Sequence, residues 1–151
     1  GICGDRIVLW EEVPGRWTGA AAAAMYEGPI KKMLQKHRPH KRSWVIMEDN
    51  DPAGYKSGKA KDAKRKHTMR TLDQPPYSPD LNPLDFCIWD KIAKDALELW
   101  TSATSAPDGY KALLRRVAAR TPRPVVRKAV ESIKARAAAI FEADGGNIKR
   151  D

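Results

Sequence analysis

Hydrophobic positions in the first half of the chain switch between strand-like and helix-like spacing. Apolar runs at residues 7–13, 44–48 and 68–72 predict three strands, and we expect 44–48 to be a buried central strand. Helical spacing covers residues 18–37, where Thr18 suits an N-cap and Gly28-Pro29 must break or kink the helix. A lysine-rich helix is predicted at 57–67, and its weak apolar face places it on the surface.

The second half of the chain predicts three helices. The first carries an apolar seam at every fourth position: Leu84, Ile88, Ile92, Ala96 and Trp100. The second is capped by Asp108 or Ser105 and buries four residues: Tyr110, Leu113, Leu114 and Val117. The last begins at Thr121-Pro122, ends at Gly145-Gly146 and has its own apolar face: Val126, Val130, Ile133, Ala137 and Ile140. Periodicity also assigns Trp44, Trp89 and Trp100 to the core.

Two acidic residues follow segments that fix their positions. Four prolines between Pro75 and Pro83 make an extended entry, and helical spacing begins at once, so Asp85 lies in the first turn of a helix. Asp49 follows the apolar run 44–48, at the carboxyl end of the predicted strand. Asp51 precedes Pro52 and suits an Asx turn, which is the more common role of such a residue.

These two motifs resemble those of the mariner superfamily of DDE/DDD transposases. Asp49-Asn50 matches the strand-end motif of the family's second acid, and residues 75–85 with Trp89 match the motif of its third acid. The resemblance continues weakly over residues 138–146, like the family's tail, so we expect the C-terminus to be the natural one. It implies an α/β, ribonuclease H-like fold of the integrase/transposase type, with an incomplete sheet followed by C-terminal helices. One domain is expected over residues 1–151, with a core remnant at 1–103 and basic helices at 104–151.

In that family, three carboxylates hold two divalent ions, Mg²⁺ or Mn²⁺, so the resemblance makes Asp49 and Asp85 the catalytic and metal-binding candidates. It also gives Asp51 a second interpretation, as a further metal ligand. The sequence departs from the pattern in three ways. Position 54 is Gly54 where the family has histidine, and the third acid is aspartate. The family's first acid is expected many tens of residues before Asp49, so we expect an upstream segment that this chain lacks. Glu11 and Glu12 are interpreted as solvated charges at a strand end, not as that acid.

Composition adds an electrostatic argument. The chain has a net charge of +9, and residues 31–70 alone hold 13 Lys/Arg against four Asp/Glu. Residues 111–136 form a second basic segment, with nine Lys/Arg and only Glu131, whereas 71–110 is acidic. Clustered cations of this kind are typical of proteins that bind a phosphate backbone. The nucleic-acid-binding candidates are Lys41, Arg42, Lys56, Lys59, Lys61, Lys64, Arg65, Lys66, Arg115, Arg116, Arg120, Arg123 and Arg127.

Other features narrow the class of protein. An apolar run of about 18 residues, which a membrane-spanning helix needs, does not occur, so no membrane partner is expected. Cys3 and Cys87 are far apart in sequence, which favours a reduced compartment without a disulfide. Strand 44–48 lacks a predicted neighbour on one side. We expect another polypeptide, nucleic acid or residues 7–13 to cover that edge.

Together these observations favour a domesticated, transposase-derived structural subunit that binds nucleic acid within a larger assembly and has neither catalysis nor a cofactor. We expect RNA rather than DNA as the nucleic acid, and neighbouring subunits that complete the sheet. One assembly of this kind is an organellar ribosome, in the organelle matrix. The alternative is an active mariner-like transposase seen as a fragment, which would cut and transfer DNA with Mg²⁺ or Mn²⁺ in the nucleus. A third possibility is a protein assembly in which the basic segments contact acidic partners.

Overall fold

The computed structural model describes residues 1–100, 107–146 and 148, and the chain divides into two compact units. Leu9–Tyr77 forms one of them, called here the central unit. The other, the terminal unit, joins Gly1–Val8 to the residues from Ser78 onward. Buried apolar side chains are present in both units. In the described part of the chain, no helix has the length and apolar character needed to cross a membrane.

The central unit opens with a helical segment that passes through Gly28-Pro29 without ending. Helix α1 (Gly19–Met25) is capped as predicted, because Thr18 Oγ1 accepts the Ala21 N–H at 3.3 Å. A π-helical turn, Tyr26–Ile30, then leads directly into α2 (Lys31–His37). The wider turn accommodates Pro29, which has no N–H to donate, so the dipeptide distorts the helix instead of breaking it.

The sheet of the central unit consists of two parallel strands, β3 (Trp44–Ile46) and β4 (Met69–Thr71). Helix α3 (Gly58–Lys66) forms the crossover between them, and Ser57 caps it by accepting the Ala60 N–H at 3.2 Å. Strand β3 is shorter than predicted and is not fully buried, since Val45 is 61% exposed. Among the described residues β3 pairs only with β4, so residues 7–13 do not pair with its second edge. Another polypeptide or a nucleic acid at that edge stays a prediction.

Helix α3 is anchored more firmly than its sequence indicated. Ala22 of α1 and Ala60 of α3 are completely buried, and Ala63 is nearly so. The two helices approach so closely that a Cβ on Gly19 would lie 2.4 Å from Ser57 Oγ. The small residues therefore permit close helix packing, and one face of α3 belongs to the core while the other remains exposed.

The prediction of a strand over residues 7–13 is wrong for residues 8–13. In the terminal unit, β2 (Arg6–Ile7) pairs with β1 (Ile2–Cys3) in a short antiparallel hairpin, whose last contact is the Val8 N–H to the Gly1 carbonyl at 2.9 Å. Residues 9–13 have no strand partner in the described part of the chain and adopt no regular structure. An apolar β-branched run forms a strand only where a neighbouring strand is available.

The remaining terminal unit is helical. A 3₁₀ turn (Pro79–Leu81) and a π-helical turn (Leu84–Ile88) lead into α4 (Trp89–Glu98). Helices α5 (Pro107–Arg120) and α6 (Arg123–Glu142) follow. The predicted apolar faces are confirmed only in part, and least on α6, where Val126 is buried but Ala137 is exposed. The buried members are Ile88, Ile92, Ala96, Leu113, Val117 and Val126.

Three aromatic residues predicted to be in the core are exposed instead. Trp89, Trp100 and Tyr110 are each more than 40% exposed. Trp89 lies one position beyond buried Ile88 and therefore points about 100° away from it around the helix. Trp100 follows the end of α4 and packs edge-to-face on Tyr110, with ring centroids 5.2 Å apart.

The ends of the last two helices differ slightly from prediction. Asp108 lies within the first turn of α5, whereas Ser105 falls outside the described residues. Helix α6 begins one residue later than expected, because Thr121 Oγ1 donates to the Val117 carbonyl and Pro122 takes the N-cap position. The predicted glycine stop is confirmed, since Gly145 has a φ of 81° and donates its N–H to the Ile140 carbonyl at 2.9 Å.

Candidate functional site

Asp49 lies just beyond β3, and it is exposed. Its Oδ1 accepts the backbone N–H of Asp51 at 3.2 Å. The neighbouring Asn50 donates from Nδ2 to the Gln74 carbonyl at 3.0 Å, which ties this loop to the segment after β4. The carboxylate is therefore held at the carboxyl end of a strand, as the sequence predicted.

Asp51 forms the Asx turn that was one of its two interpretations. Its Oδ1 accepts the Ala53 N–H at 3.3 Å, and its Oδ2 accepts the Gly54 N–H at 2.6 Å and the Trp17 indole N–H at 2.9 Å. A Cβ at position 54 would lie only 1.9 Å from Trp17 Nε1. The indole thus occupies the space that a side chain at position 54 would need.

A buried polar cluster that was not predicted from the sequence lies next to Asp49. The side chains of Glu48 and Lys64 are 6% and 7% exposed and form an ion pair. Tyr26 donates its hydroxyl to Glu48, and Lys64 also donates to the Tyr55 carbonyl and to Thr71 Oγ1, both at 3.1 Å. Burial, and then the hydrogen bond to Glu48, raise the pKa of Tyr26.

This cluster corrects the placement of Lys64 on the nucleic-acid-binding surface. The side chain is almost completely buried and its charge is neutralised by Glu48, so it is not accessible to a phosphate backbone. A sequence signal was available, because Lys64 lies four residues after Ala60 and therefore on the same buried face of α3. Because the other lysines of α3 are exposed, Lys64 was predicted to be exposed as well.

Asp85 occupies the first helical turn after the proline-rich segment, and it is exposed. Three hydrogen bonds of Asn82 fix this first turn and the Asp85 side chain. Asn82 Nδ2 donates to Asp85 Oδ2 at 2.7 Å, Asn82 Oδ1 accepts the Leu84 N–H at 3.2 Å, and the Asn82 carbonyl accepts the Asp85 N–H at 2.9 Å. The asparagine of the proline-rich motif therefore binds a backbone N–H of the first turn and also holds the carboxylate.

Asp49 belongs to the central unit and Asp85 to the terminal unit. Among the residues that the structure describes, neither carboxylate forms an ion pair with lysine or arginine, and the donors described above are neutral amide groups. The same residues contain no group of three or more His, Cys, Asp or Glu side chains arranged to hold a metal ion. Glu11 and Glu12 are exposed, as predicted.

The basic residues of the central unit surround an open groove of about 920 Å³ beside α3 and β4. It is lined by five cationic residues, Lys56, Lys61, Lys64, Arg65 and Arg70, and by two acids, Glu48 and Asp73. Arg70 was not predicted, because it lies alone in the strand segment. Four further candidates, Lys41, Arg42, Lys59 and Lys66, are exposed outside this lining. Lys66 is paired with Glu27 at 2.9 Å.

The arginines of the terminal unit fall into two groups. Arg115, Arg116 and Arg120 are exposed on α5. Arg123 and Arg127 instead hold the hairpin through Asp5, at 2.6 and 3.1 Å. Hydrogen bonds from these two guanidinium groups lower the pKa of Asp5 to about 2. A nucleic acid would have to share both arginines with this carboxylate.

Two curated proteins are similar to the chain in sequence. Over 104 residues it is 32% identical to the transposase of the transposable element Tcb1 from Caenorhabditis briggsae, and 29% identical to that of Tc1 from Caenorhabditis elegans. Each match covers 69% of this chain but only 36% of the relative, so the match spans about a third of those proteins. No protein-family model matches the sequence.

Solved structures of the Mos1 mariner transposase are similar in fold. Its catalytic domain bound with raltegravir and Mn superposes with a TM-score of 0.77 at 17% identity, covering 90% of this chain and 68% of that one. The Mos1 paired-end complex with Mn gives a TM-score of 0.75 at 18% identity, covering 90% of this chain and 39% of that one. The predicted ribonuclease H-like fold is therefore confirmed.

Proposed function

Because this chain is homologous to the Tc1/mariner transposases and has the ribonuclease H-like fold of a mariner catalytic domain, we propose that it forms part of a domain that acts on DNA. Within that domain it supplies two carboxylates for divalent metal ions and a basic groove for the phosphate backbone. The proposal is based mainly on the positions of Asp49 and Asp85. Both are accessible acids in the two matched motifs, and each is oriented by amide donors.

The donor chemistry of these residues suits Mg²⁺ or Mn²⁺, which prefer hard carboxylate oxygens. Mos1 catalytic-domain structures contain Mn or Mg, which supports the same choice here. Asp49 and Asp85 would each contribute a ligand. When bound, such ions stabilise the attacking and leaving oxygens of a phosphodiester. The chain's own contribution is orientation, through the Asp51 N–H for Asp49 and the Asn82 amide for Asp85.

The groove beside α3 is the proposed binding surface for the DNA backbone. The proposed phosphate contacts are the four exposed cations of its lining, Lys56, Lys61, Arg65 and Arg70, whereas Lys64 is excluded because Glu48 already neutralises it. Mos1 has been observed in complexes with transposon ends, which favours DNA over the RNA preferred from sequence alone. Phosphate contacts supply affinity without sequence specificity, so this groove would hold DNA of any sequence.

A triple variant tests the groove directly. Lys61→Gln, Arg65→Gln and Arg70→Gln together should weaken binding to a fluorescent 30-base-pair duplex of random sequence. The slope of log affinity against log salt concentration should also become shallower, by about 0.9 for each phosphate that the protein no longer neutralises. Fluorescence anisotropy at several KCl concentrations measures both quantities.

The matched control neutralises three cations of the same unit on and after α2, namely Lys32, Lys36 and Arg38, which are exposed and lie outside the groove. We expect this control to bind like the wild type. An equal slope in the groove variant and the wild type would contradict the assignment of the groove. Stronger binding of a matched duplex RNA than of the DNA would favour the ribonucleoprotein role predicted from sequence.

A nucleic-acid-binding role without catalysis is the second candidate, and Gly54 is the observation that favours it. The family motif has histidine at this position, whereas here the Trp17 indole fills the space. Both candidates use the same groove. They differ in whether Asp49 and Asp85 bind metal.

A further inference from the structure

Arg136 of α6 reaches across the terminal unit to the loop that precedes Asp85. Its Nε donates to the Asp80 carbonyl at 2.8 Å, and its Nη2 lies 3.5 Å from Asp80 Oδ1. The guanidinium carbon also lies 4.1 Å from the centre of the Phe86 ring. The side chains of Arg136 and Asp80 are only 15% and 16% exposed.

These contacts lie on both sides of Asp85. Asp80 belongs to the 3₁₀ turn five residues before the acid, and Phe86 follows it directly. A charge-assisted hydrogen bond and a stacked guanidinium are stronger than their neutral counterparts, and partial burial strengthens both. One side chain from a distant helix therefore fixes both ends of the segment whose interior is held by Asn82.

We propose that Arg136 is a positioning residue for Asp85, which rests on the proposed role of Asp85 as a metal ligand. The planar guanidinium can donate to the Asp80 carbonyl while it stacks on Phe86, and a lysine ammonium cannot reproduce both contacts. Helix α6 thereby has a supporting role. The sequence assigned this helix to a basic nucleic-acid-binding surface, whereas Arg136 turns inward and supports the loop of the third acid.

The test is Arg136→Lys, with Lys134→Arg at an exposed position of the same helix as its control. Both exchanges keep the charge, so a change in metal affinity cannot come from long-range electrostatics. We expect Arg136→Lys to weaken Mn²⁺ binding about tenfold, as found for residues that orient a metal ligand. Electron paramagnetic resonance of free Mn²⁺ measures the affinity, and Lys134→Arg should leave it unchanged.

A second readout needs no metal. Hydrogen exchange of the Asp85 N–H, which donates to the Asn82 carbonyl, should accelerate in Arg136→Lys, while that of Val117 in α5 should not. Uniform acceleration across the terminal unit would indicate a merely structural role and overturn the proposal, as would unchanged exchange at Asp85. If the wild type binds no Mn²⁺, the proposed function fails, and the exchange measurement alone then decides the role of Arg136.

Discussion

Lys64→Met is expected to lower the free energy of unfolding by about 3–5 kcal/mol, because it leaves Glu48 charged and buried without its partner. Both side chains are less than a tenth exposed. The replacement also removes the donor to the Tyr55 carbonyl and to Thr71 Oγ1. Equilibrium unfolding in urea measures the decrease.

Two variants separate the ion pair from other effects of the substitution. Lys61→Met removes an exposed lysine one turn earlier on α3, and we expect a change within about 0.5 kcal/mol. The double variant Glu48→Gln/Lys64→Met removes both charges, and it should recover part of the stability that Lys64→Met removes. A Lys64→Met protein as stable as Lys61→Met would show that the buried pair contributes little.

This cluster matters for the site because Glu48 directly precedes Asp49. Through Glu48 and Lys64, the cluster connects the segment that follows β3 to the π-helical turn, α3 and β4. The strand end that carries the candidate metal ligand is thereby fixed from three sides. Disrupting the cluster should therefore disturb the position of Asp49 more than that of any residue in the terminal unit.

Gly54→Ala is expected to destabilise the central unit by about 1–3 kcal/mol, the range typical of overpacking. The new methyl group would lie 1.9 Å from Trp17 Nε1 and 2.7 Å from Asp51 Oδ2, so the indole or the Asx turn must move. Gly54→His should be at least as harmful, although histidine is the residue of the family motif. Urea unfolding followed by tryptophan fluorescence measures the stability.

Gly58→Ala is the matched control for this substitution. Position 58 is the first residue of α3, and a Cβ there meets no atom within 4 Å. Alanine is a better helix former than glycine, so Gly58→Ala should be neutral or slightly stabilising. If Gly54→Ala behaved in the same way, the loop after Asp49 would have to be looser than its hydrogen bonds indicate.

The parts of the fold that were predictable from sequence are those set by local patterns. The position of Asp85 was predictable because prolines and helical spacing meet at that residue. The cap of α1 followed from Thr18, and the start of α3 followed from the lysine-rich segment that begins at Ser57. The fold class followed from the two acidic motifs, and the match to mariner catalytic domains confirms it.

The parts that were not predictable depend on partners distant in sequence. Residues 9–13 have strand-like composition but no strand to pair with in the described part of the chain. Lys64 resembles a surface charge until Glu48, sixteen residues earlier, is placed beside it. Arg136 acts on Asp80, which is 56 residues away, so no local pattern could reveal the contact.

The proposed function depends on the claim that Asp49 and Asp85 bind divalent metal, and Mn²⁺ titration followed by electron paramagnetic resonance measures this binding. Asp49→Asn and Asp85→Asn should each weaken Mn²⁺ binding at least about tenfold, a decrease found even for residues that only support a ligand. Asp62→Asn and Asp90→Asn, which replace exposed acids of the same two units, should bind like the wild type. Equal Mn²⁺ affinity in all five proteins, or no binding by the wild type, would contradict the claim and favour a nucleic-acid-binding protein without catalysis.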